Sequence, residues 1–347
     1  MKHPVVVKLG TSLVAGSGGR VRRSVLRARA VEIAALVHGG TPVCVVSSGA
    51  IALGLPRLGL ERRPRSLPKL QAASALGQAR LHGAWDRALA AEGIPAAQVL
   101  LTAADVADRA AYVNARQTLS ALFELGAVPV VNENDVTATD EITFGDNDAL
   151  AAQVAVLTRA RLLVLLTEVE GVYTRAPGTP GAELVDHGTA AAGVVLGEGS
   201  PLGKGGMRSK ILAAEVAAAA GIPTVIAGGM GADVLGPIVA GEPRGTHFRP
   251  DERAPSAFKL WLRHGKRVDG RLIVDAGARR AVIDDGASLL AVGVVCVEGR
   301  FEPGDAVELV GPDGKAFAKG IAGVAAPDLD GRPRGVEVVH RDRLVLT

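Results

Sequence analysis

The sequence predicts an α/β fold, with a mostly parallel central sheet, followed by a small and mostly β domain. Three observations carry that expectation. Through the first two-thirds, short runs rich in Val, Leu and Ile alternate with Ala- and Leu-rich stretches of helical length. The short runs are almost continuously apolar, as strands covered by helices on both faces must be. After about Arg249 the pattern changes to short β-type runs separated by Gly-containing turns.

Taken in order, Val5–Leu9 is a strand whose one polar member is Lys8, and Gly10 follows it. Ser24–His38 reads as a helix stopped by Gly39-Gly40, and Val43–Ser47 as the second strand. Leu67–Ala91 is a long helix ending before Gly93, and Gln98–Leu101 is a strand. Arg109–Leu125 is a helix closed at Gly126, with Val128–Asn132 the next strand. Helix Asp146–Leu157, strand Leu162–Thr167, helix Met207–Ala220 (closed by Gly221) and strand Thr224–Ala227 complete the alternation. The polar segment Asp251-Glu252-Arg253-Ala254-Pro255-Ser256 suits a linker, giving expected domains at 1–250 and 258–347. In the second domain the β runs are Arg271–Val274, Leu289–Val297, Ala306–Val310, Ala316–Val324 and Gly335–Val339, with a turn at Pro312-Asp313-Gly314-Lys315.

Composition bounds the function. A chain of 347 residues with 48% hydrophobic and 22% charged residues buries real cores and is not disordered. Aromatics are only 3%, so those cores are built from Val, Leu, Ala and Ile. A net charge of +3 is compatible with anionic substrates and does not suggest a nucleic-acid coat. The chain enters its first strand without a signal-like apolar region, and no apolar stretch approaches the ~20 residues of a membrane span. A soluble, cytoplasmic protein is expected. Cys44 and Cys296 both lie in apolar runs, which predicts buried, inert thiols rather than a disulfide or a metal pair.

Four motifs, one of them divided between two loops, carry candidate chemistry, each placed directly after a strand or opening a helix, where α/β sheets gather ligands. Lys8-Leu9-Gly10-Thr11-Ser12 offers a cation and close backbone N–H groups to a phosphate, although a strand-end lysine can also be merely solvated. Ser47-Ser48-Gly49-Ala50-Ile51 leaves room for a ligand against the backbone, or is simply a tight turn. Val131-Asn132-Glu133-Asn134-Asp135 and Gly145-Asp146-Asn147-Asp148 put two Asn/Asp clusters on neighbouring loops, more than helix capping needs. They could orient an α-amino group, accept from lysines, or reach Mg2+ through water. Gly203-Lys204-Gly205-Gly206-Met207-Arg208-Ser209-Lys210 opens a helix with glycines and cations, an anion site by geometry. It is not a Walker A loop, since Glu198 stands where the first glycine belongs, and no dinucleotide fingerprint follows the first strand.

The seven histidines are scattered outside these loops, and neither metal-ligand spacing nor a nucleophile elbow occurs, so no metal ligands are assigned. Phosphoryl transfer to a carboxylate needs no general base, because a carboxylate with a pKa near ~4.3 is already ionised at neutral pH. It needs cations, backbone N–H groups and Mg2+ to bring two anions together.

In this order, the four motifs resemble the amino acid kinase family, and within it the branch that phosphorylates free glutamate. The resemblance spans essentially the whole chain and implies a three-layer sandwich around the central sheet. It implies that Lys8 and Lys210 flank the transferring phosphoryl group and that Asp148 holds both lysines. It implies that Ser48, Gly49, Asp135 and Asn147 bind L-glutamate, with Asp135 meeting the α-ammonium. Thr167, Glu168, Lys204, Gly205, Gly206, Met207, Arg208, Ser209 and Lys210, with Lys8, would bind ATP, and Mg2+ would arrive on the nucleotide. The resemblance further implies proline as feedback inhibitor, a homodimer or homotetramer, and delivery of the acyl phosphate to a glutamyl phosphate reductase. The family usually has Thr-Asp at Thr167-Glu168 and Thr at Lys204, departures that touch nucleotide contacts and spare the lysines.

Gly270-Arg271-Leu272, the run from Gly286 to Val294, and Gly304-Asp305 resemble a PUA domain, which implies a small barrel-like module. PUA domains elsewhere bind RNA. Residues 251–347 carry 15 Lys+Arg against 15 Asp+Glu, which favours a structural or regulatory role over RNA binding. A basic patch of Arg263, Lys266, Arg267, Arg271, Arg279 and Arg280 keeps the RNA reading open. So do other acceptors within the family, such as acetylglutamate, aspartate or UMP.

Overall fold

A computed structural model describes residues 3–60, 62–138, 146–187, 206–250, 262, 268–331 and 333–346. The chain forms two compact units that divide near residue 252.

The first unit runs β1 (Val5–Leu9), α1 (Thr11–Val14), α2 (Arg23–His38), β2 (Val43–Ser47), α3 (Ala50–Gly54), α4 (Leu67–Ala90), β3 (Ala96–Leu101), α5 (Ala103–Ala107), α6 (Arg109–Glu124) and β4 (Val128–Glu133). It continues with α7 (Asp146–Thr158), β5 (Leu162–Thr167), α8 (Gly206–Ala219), β6 (Thr224–Gly228), α9 (Leu235–Ala240) and β7 (Thr246–Phe248). The seven strands lie in the order β3-β4-β2-β1-β5-β6-β7. All neighbours are parallel except β6 and β7. The expected strands all form, within a residue or two at each end. Four short helices, α1, α3, α5 and α9, and the antiparallel edge strand β7 were not expected, because each is too short to show a period.

Strand β1 is central, and all five of its residues are buried. Its register sets Lys8 between Val46 of β2 and Leu165 of β5, in the middle of an apolar sheet. Because the strands are parallel, their carboxyl ends share one edge, and the loops after β1, β2, β4 and β5 gather there.

Helices α3 and α4 cross at backbone contact. A Cβ on Gly54 would lie 1.8 Å from the Ala73 carbonyl oxygen, and one on Gly77 would lie 1.7 Å from that of Ala50. Two glycines therefore let α4 lie directly against the turn that carries Ser48.

In the second unit β8 (Gly270–Val274), α10 (Ala276–Ile283), β9 (Leu289–Leu290), β10 (Val294–Gly299), β11 (Ala306–Val310), β12 (Ala316–Ile321), β13 (Glu337–Val339) and β14 (Leu344–Leu346) follow in order. Five strands form one sheet, β10-β8-β11-β12-β14, and β13 pairs with β9. The unit is mostly β, with corrections. Helix α10, capped by Asp275 accepting from the Ala278 N–H at 2.7 Å, was not expected. The expected strand Leu289–Val297 is broken by a 3-10 turn at Ala291–Gly293. Gly293 is tight there, since a Cβ would meet that of Ala278 at 2.5 Å. Cys44 is buried as expected, and burial pushes its thiol well above the ordinary range, whereas Cys296 is exposed on edge strand β10. The proposed linker and Arg263, Lys266 and Arg267 lie outside the described residues. Of the remaining basic patch, Arg271 pairs with Glu298 and Glu308, and Arg279 with Asp313, so its charge is largely matched locally.

Candidate active site

The strand edge assembles a cluster of buried polar groups from sequence-distant segments. Asp148, in the first turn of α7, is fully buried and accepts from Lys8 Nζ on one carboxylate oxygen. Its other oxygen accepts from Lys210 Nζ at 3.2 Å and from Ser209 Oγ at 2.7 Å, both in α8. Lys210 also donates to the Gly206 carbonyl at 3.1 Å, which ties its ammonium to the start of α8. Lys8 and Lys210 are only 2% and 7% exposed.

Two ammonium groups share one carboxylate, leaving an unbalanced positive charge. Burial, only partly offset by Asp148 and reinforced by Lys210, pulls Lys8 down to about 8. Burial by itself would raise Asp148, but the two adjacent lysines prevail and hold it below the ordinary carboxylate range. The positive end of the α7 dipole favours the same ionised form.

A second polar group lies on the β2–β4 side. Asn147, next to Asp148, donates to Ser48 Oγ at 3.0 Å, to Asn132 Oδ1 at 2.8 Å and more weakly to the Ser47 carbonyl at 3.4 Å. Gly49 follows Ser48 with φ +114°, a conformation that side chains resist, and a Cβ there would press on Val14 at 3.2 Å. Asp135 is buried and accepts from Ser74 Oγ of α4. Burial raises its carboxyl above the ordinary range, against the Ser74 bond and the Arg63 charge.

The nucleotide-side residues are more dispersed. Thr167 ends β5, and its carbonyl accepts from the Gly229 N–H at 2.7 Å. Glu168 is well exposed and stands 3.8 Å from Arg22. Gly206, Met207, Arg208 and Ser209 form the first turn of α8, and Gly206 is exposed. Lys204 and Gly205 lie outside the described residues, as does Gly145. The structure thus brings Lys8, Ser209, Lys210 and Asp148 into one contact network, and Ser48, Asn147 and Asn132 into another. Met207 and Arg208 make no described side-chain contact with either.

Sequence reasoning missed Ser74, Gln78 and Trp85, three polar-tipped residues of α4 that serve this edge. Trp85 Nε1 donates to Ser47 Oγ at 3.0 Å, and Gln78 bonds Asn132. Their signal was the i, i+4 spacing of Ser74 and Gln78 on an otherwise apolar helix face.

Comparison with known proteins agrees with this geometry. The model of the amino acid kinase family matches residues 3–228, and that of the PUA domain matches residues 270–342. A glutamate 5-kinase of Methylobacillus flagellatus is 42% identical over 99% of this chain and 97% of its own. Those of Burkholderia cenocepacia and Thermus thermophilus are each 43% identical over 99% of this chain, covering 97% and 96% of theirs. Among solved structures, an isopentenyl phosphate kinase shares the fold at TM-score 0.51 and 23% identity, over 71% of this chain and all of its own. With the kinase model over most of its length and such relatives end to end, the chain belongs to the amino acid kinase family, in its glutamate 5-kinase branch.

Proposed function

We propose that this kinase transfers the γ-phosphoryl group of ATP to the side-chain carboxylate of L-glutamate, giving L-glutamyl 5-phosphate and ADP, the first committed step toward proline. One observation carries the chemistry: two buried ammonium groups on a single buried carboxylate, with positive charge left over. A transferring phosphoryl group supplies the missing negative charge, and supplies most of it in the transition state.

A glutamate carboxylate oxygen forms a bond to the γ-phosphorus while the bond to the β–γ bridging oxygen breaks, its electron pair leaving with ADP. No proton has to be removed from the nucleophile. Lys8 and Lys210 neutralise the oxygens in flight, and Asp148 keeps both ammonium groups charged and aimed. The open first turn of α8 receives phosphate oxygens on its backbone N–H groups, with Ser209 fixed on Asp148. Thr167 and Glu168 meet the nucleotide beyond the phosphates, and Mg2+ is carried by the phosphates themselves. Ser48, Gly49, Asn147 and Asp135 hold glutamate, Asp135 taking the α-ammonium.

The reading extends to a cytoplasmic enzyme that is a homo-oligomer, is inhibited by proline, and passes its labile product to a glutamyl phosphate reductase. Among the described residues no helix is long and apolar enough to cross a membrane. The matched charges of Arg271 and Arg279 support a structural or regulatory role for the PUA unit.

ADP release from MgATP, compared across L-glutamate, N-acetyl-L-glutamate, L-aspartate and UMP, tests the proposal. The expected result is turnover with L-glutamate alone, with the product trapped as a hydroxamate by hydroxylamine. Turnover with another acceptor and none with glutamate would overturn the assigned substrate.

A further inference from the structure

Ser48 is joined to helix α4 by a chain of carboxamides whose direction is set at one end by a backbone carbonyl. Gln78 Nε2 donates to the Glu133 carbonyl at 3.0 Å. A carbonyl can only accept, so this contact fixes which end of the Gln78 amide faces Glu133. Gln78 Oε1 is thereby turned to accept from Asn132 Nδ2, also at 3.0 Å. Asn132 Oδ1 then accepts from Asn147 Nδ2 at 2.8 Å, and the same nitrogen donates to Ser48 Oγ at 3.0 Å. Among the described residues Asn147 Oδ1 is buried without a hydrogen-bond partner, while the Nδ2 group of the same side chain donates to Ser48 and Asn132.

The consequence lies at the serine. A hydroxyl that accepts from Asn147 has its own proton free to donate. Were the relay reversed, Ser48 would donate to Asn147 Oδ1 and turn lone pairs toward an incoming carboxylate. An amide has nearly the same shape in either orientation, so packing alone cannot choose between them.

We propose that Gln78 is a positioning residue for substrate recognition, setting through Asn132 and Asn147 the direction in which the Ser48 hydroxyl donates to a substrate carboxylate. This rests on the reading above that Ser48 binds the amino-acid substrate. Gln78 itself is half-buried on α4, held close by the glycine crossing of α3 and α4. The weaker contact of Asn147 with the Ser47 carbonyl, at 3.4 Å, biases the same orientation, so loss of Gln78 should weaken the preference rather than abolish binding.

A double-mutant cycle on the full chain tests the relay. Gln78→Leu is expected to raise KM for L-glutamate about tenfold, the range for a lost hydrogen bond to a charged group. KM for MgATP should stay within about twofold, and kcat within about threefold. In a Ser48→Ala background the same Gln78→Leu change is expected to add less than about twofold, because there is no hydroxyl left to orient. A merely structural role would give the same penalty in both backgrounds, or raise both KM values, and either result overturns the proposal. If thermal unfolding shows Gln78→Leu to be misfolded, Gln78→Met, a chain of similar length that offers Asn132 no amide oxygen, takes its place and is expected to give the same pattern. Wild-type protein without glutamate turnover would fail the functional reading itself, whereas turnover with an additive cycle would fail only the relay.

Discussion

Lys8 and Lys210, from the first strand and the eighth helix, bind opposite oxygens of one carboxylate, that of Asp148. The pair is therefore spaced by a rigid three-atom bridge rather than by two flexible side chains. Preorganised charge of this kind acts chiefly on the transition state, where the phosphoryl oxygens are most exposed to it. Lys210→Ala is expected to lower kcat by at least about 100-fold while changing KM for either substrate by less than about fivefold. Steady-state kinetics with both substrates varied decide it, and near-normal kcat would remove Lys210 from the mechanism.

The pH dependence of Lys8 should run in opposite senses for activity and stability. Burial brings its ammonium down to about 8, below the ordinary 10.5. Catalysis needs the charged form, so kcat/KM for MgATP in the free enzyme should fall as pH rises through about 8. Between about 8 and 10.5 the unfolded chain holds a proton at this position that the native chain has lost. Stability from this group therefore rises with pH across that window. Chemical unfolding of wild type and Lys8→Met at several pH values should show wild type gaining relative to the variant there. A flat difference would contradict the shift.

Much of the sheet was legible because its strands are almost continuous apolar runs of strand length set between helical stretches. Leu162–Thr167 and Val43–Ser47 needed no tertiary information. Lys8 and Asp148 stood out as charges at strand and helix ends, but nothing local to either says that they touch. That contact follows from the register of β1 within the parallel sheet. Ser74 and Gln78 were passed over because two polar residues in a long Ala-rich helix read as surface. Only the backbone contact at Gly54 and Gly77 puts that face against the site. Helix α10 was missed because Asp275 and the short run after it have the composition of a turn. Cys296 was misjudged because its apolar neighbours belong to an edge strand, which exposes one face.

Under the proposed function, Asp135 serves the amino-acid substrate and not the nucleotide. It is buried, raised above the ordinary carboxylate range by that burial, and held by Ser74. An ammonium group placed against it would both satisfy it and favour its ionised form. Asp135→Ala is expected to raise KM for L-glutamate about 10- to 100-fold, the loss of a charge-assisted contact, with KM for MgATP within about twofold. On the acid side, kcat/KM for glutamate should begin to fall at a pH above the ordinary aspartate range, as Asp135 takes up its proton. Equal losses for both substrates, in initial-rate measurements, would contradict the assignment.

A second buried ion pair tests how the fold carries charge away from the active site. Arg29 of α2 is 0% exposed, and its Nη2 donates to Glu32 Oε1 at 2.6 Å and to the Gly231 carbonyl at 2.7 Å. Its Nε and Nη1 have no hydrogen-bond partner among the described residues. Glu32 in turn accepts from the N–H groups of Val234 and Leu235, at 3.1 and 2.8 Å, and so caps α9 from another helix. The two partners are not equivalent. Removing Glu32 leaves a buried guanidinium without its bonded carboxylate, with only the charge of Asp233 to offset it, and the first N–H groups of α9 unmet. Removing Arg29 leaves a carboxylate that is slightly exposed and still bonded to those two N–H groups. Glu32→Ala is therefore expected to cost about 3–5 kcal/mol, the range for breaking a buried pair from one side. Arg29→Met, which replaces the buried cation with an apolar chain of similar length, should cost clearly less. Urea unfolding of the full chain, followed through the transition of the first unit, measures both. Equal costs would mean that the pair acts through packing alone, and a larger cost for Arg29→Met would mean that the bond to Gly231, not the cap on α9, holds this loop in place.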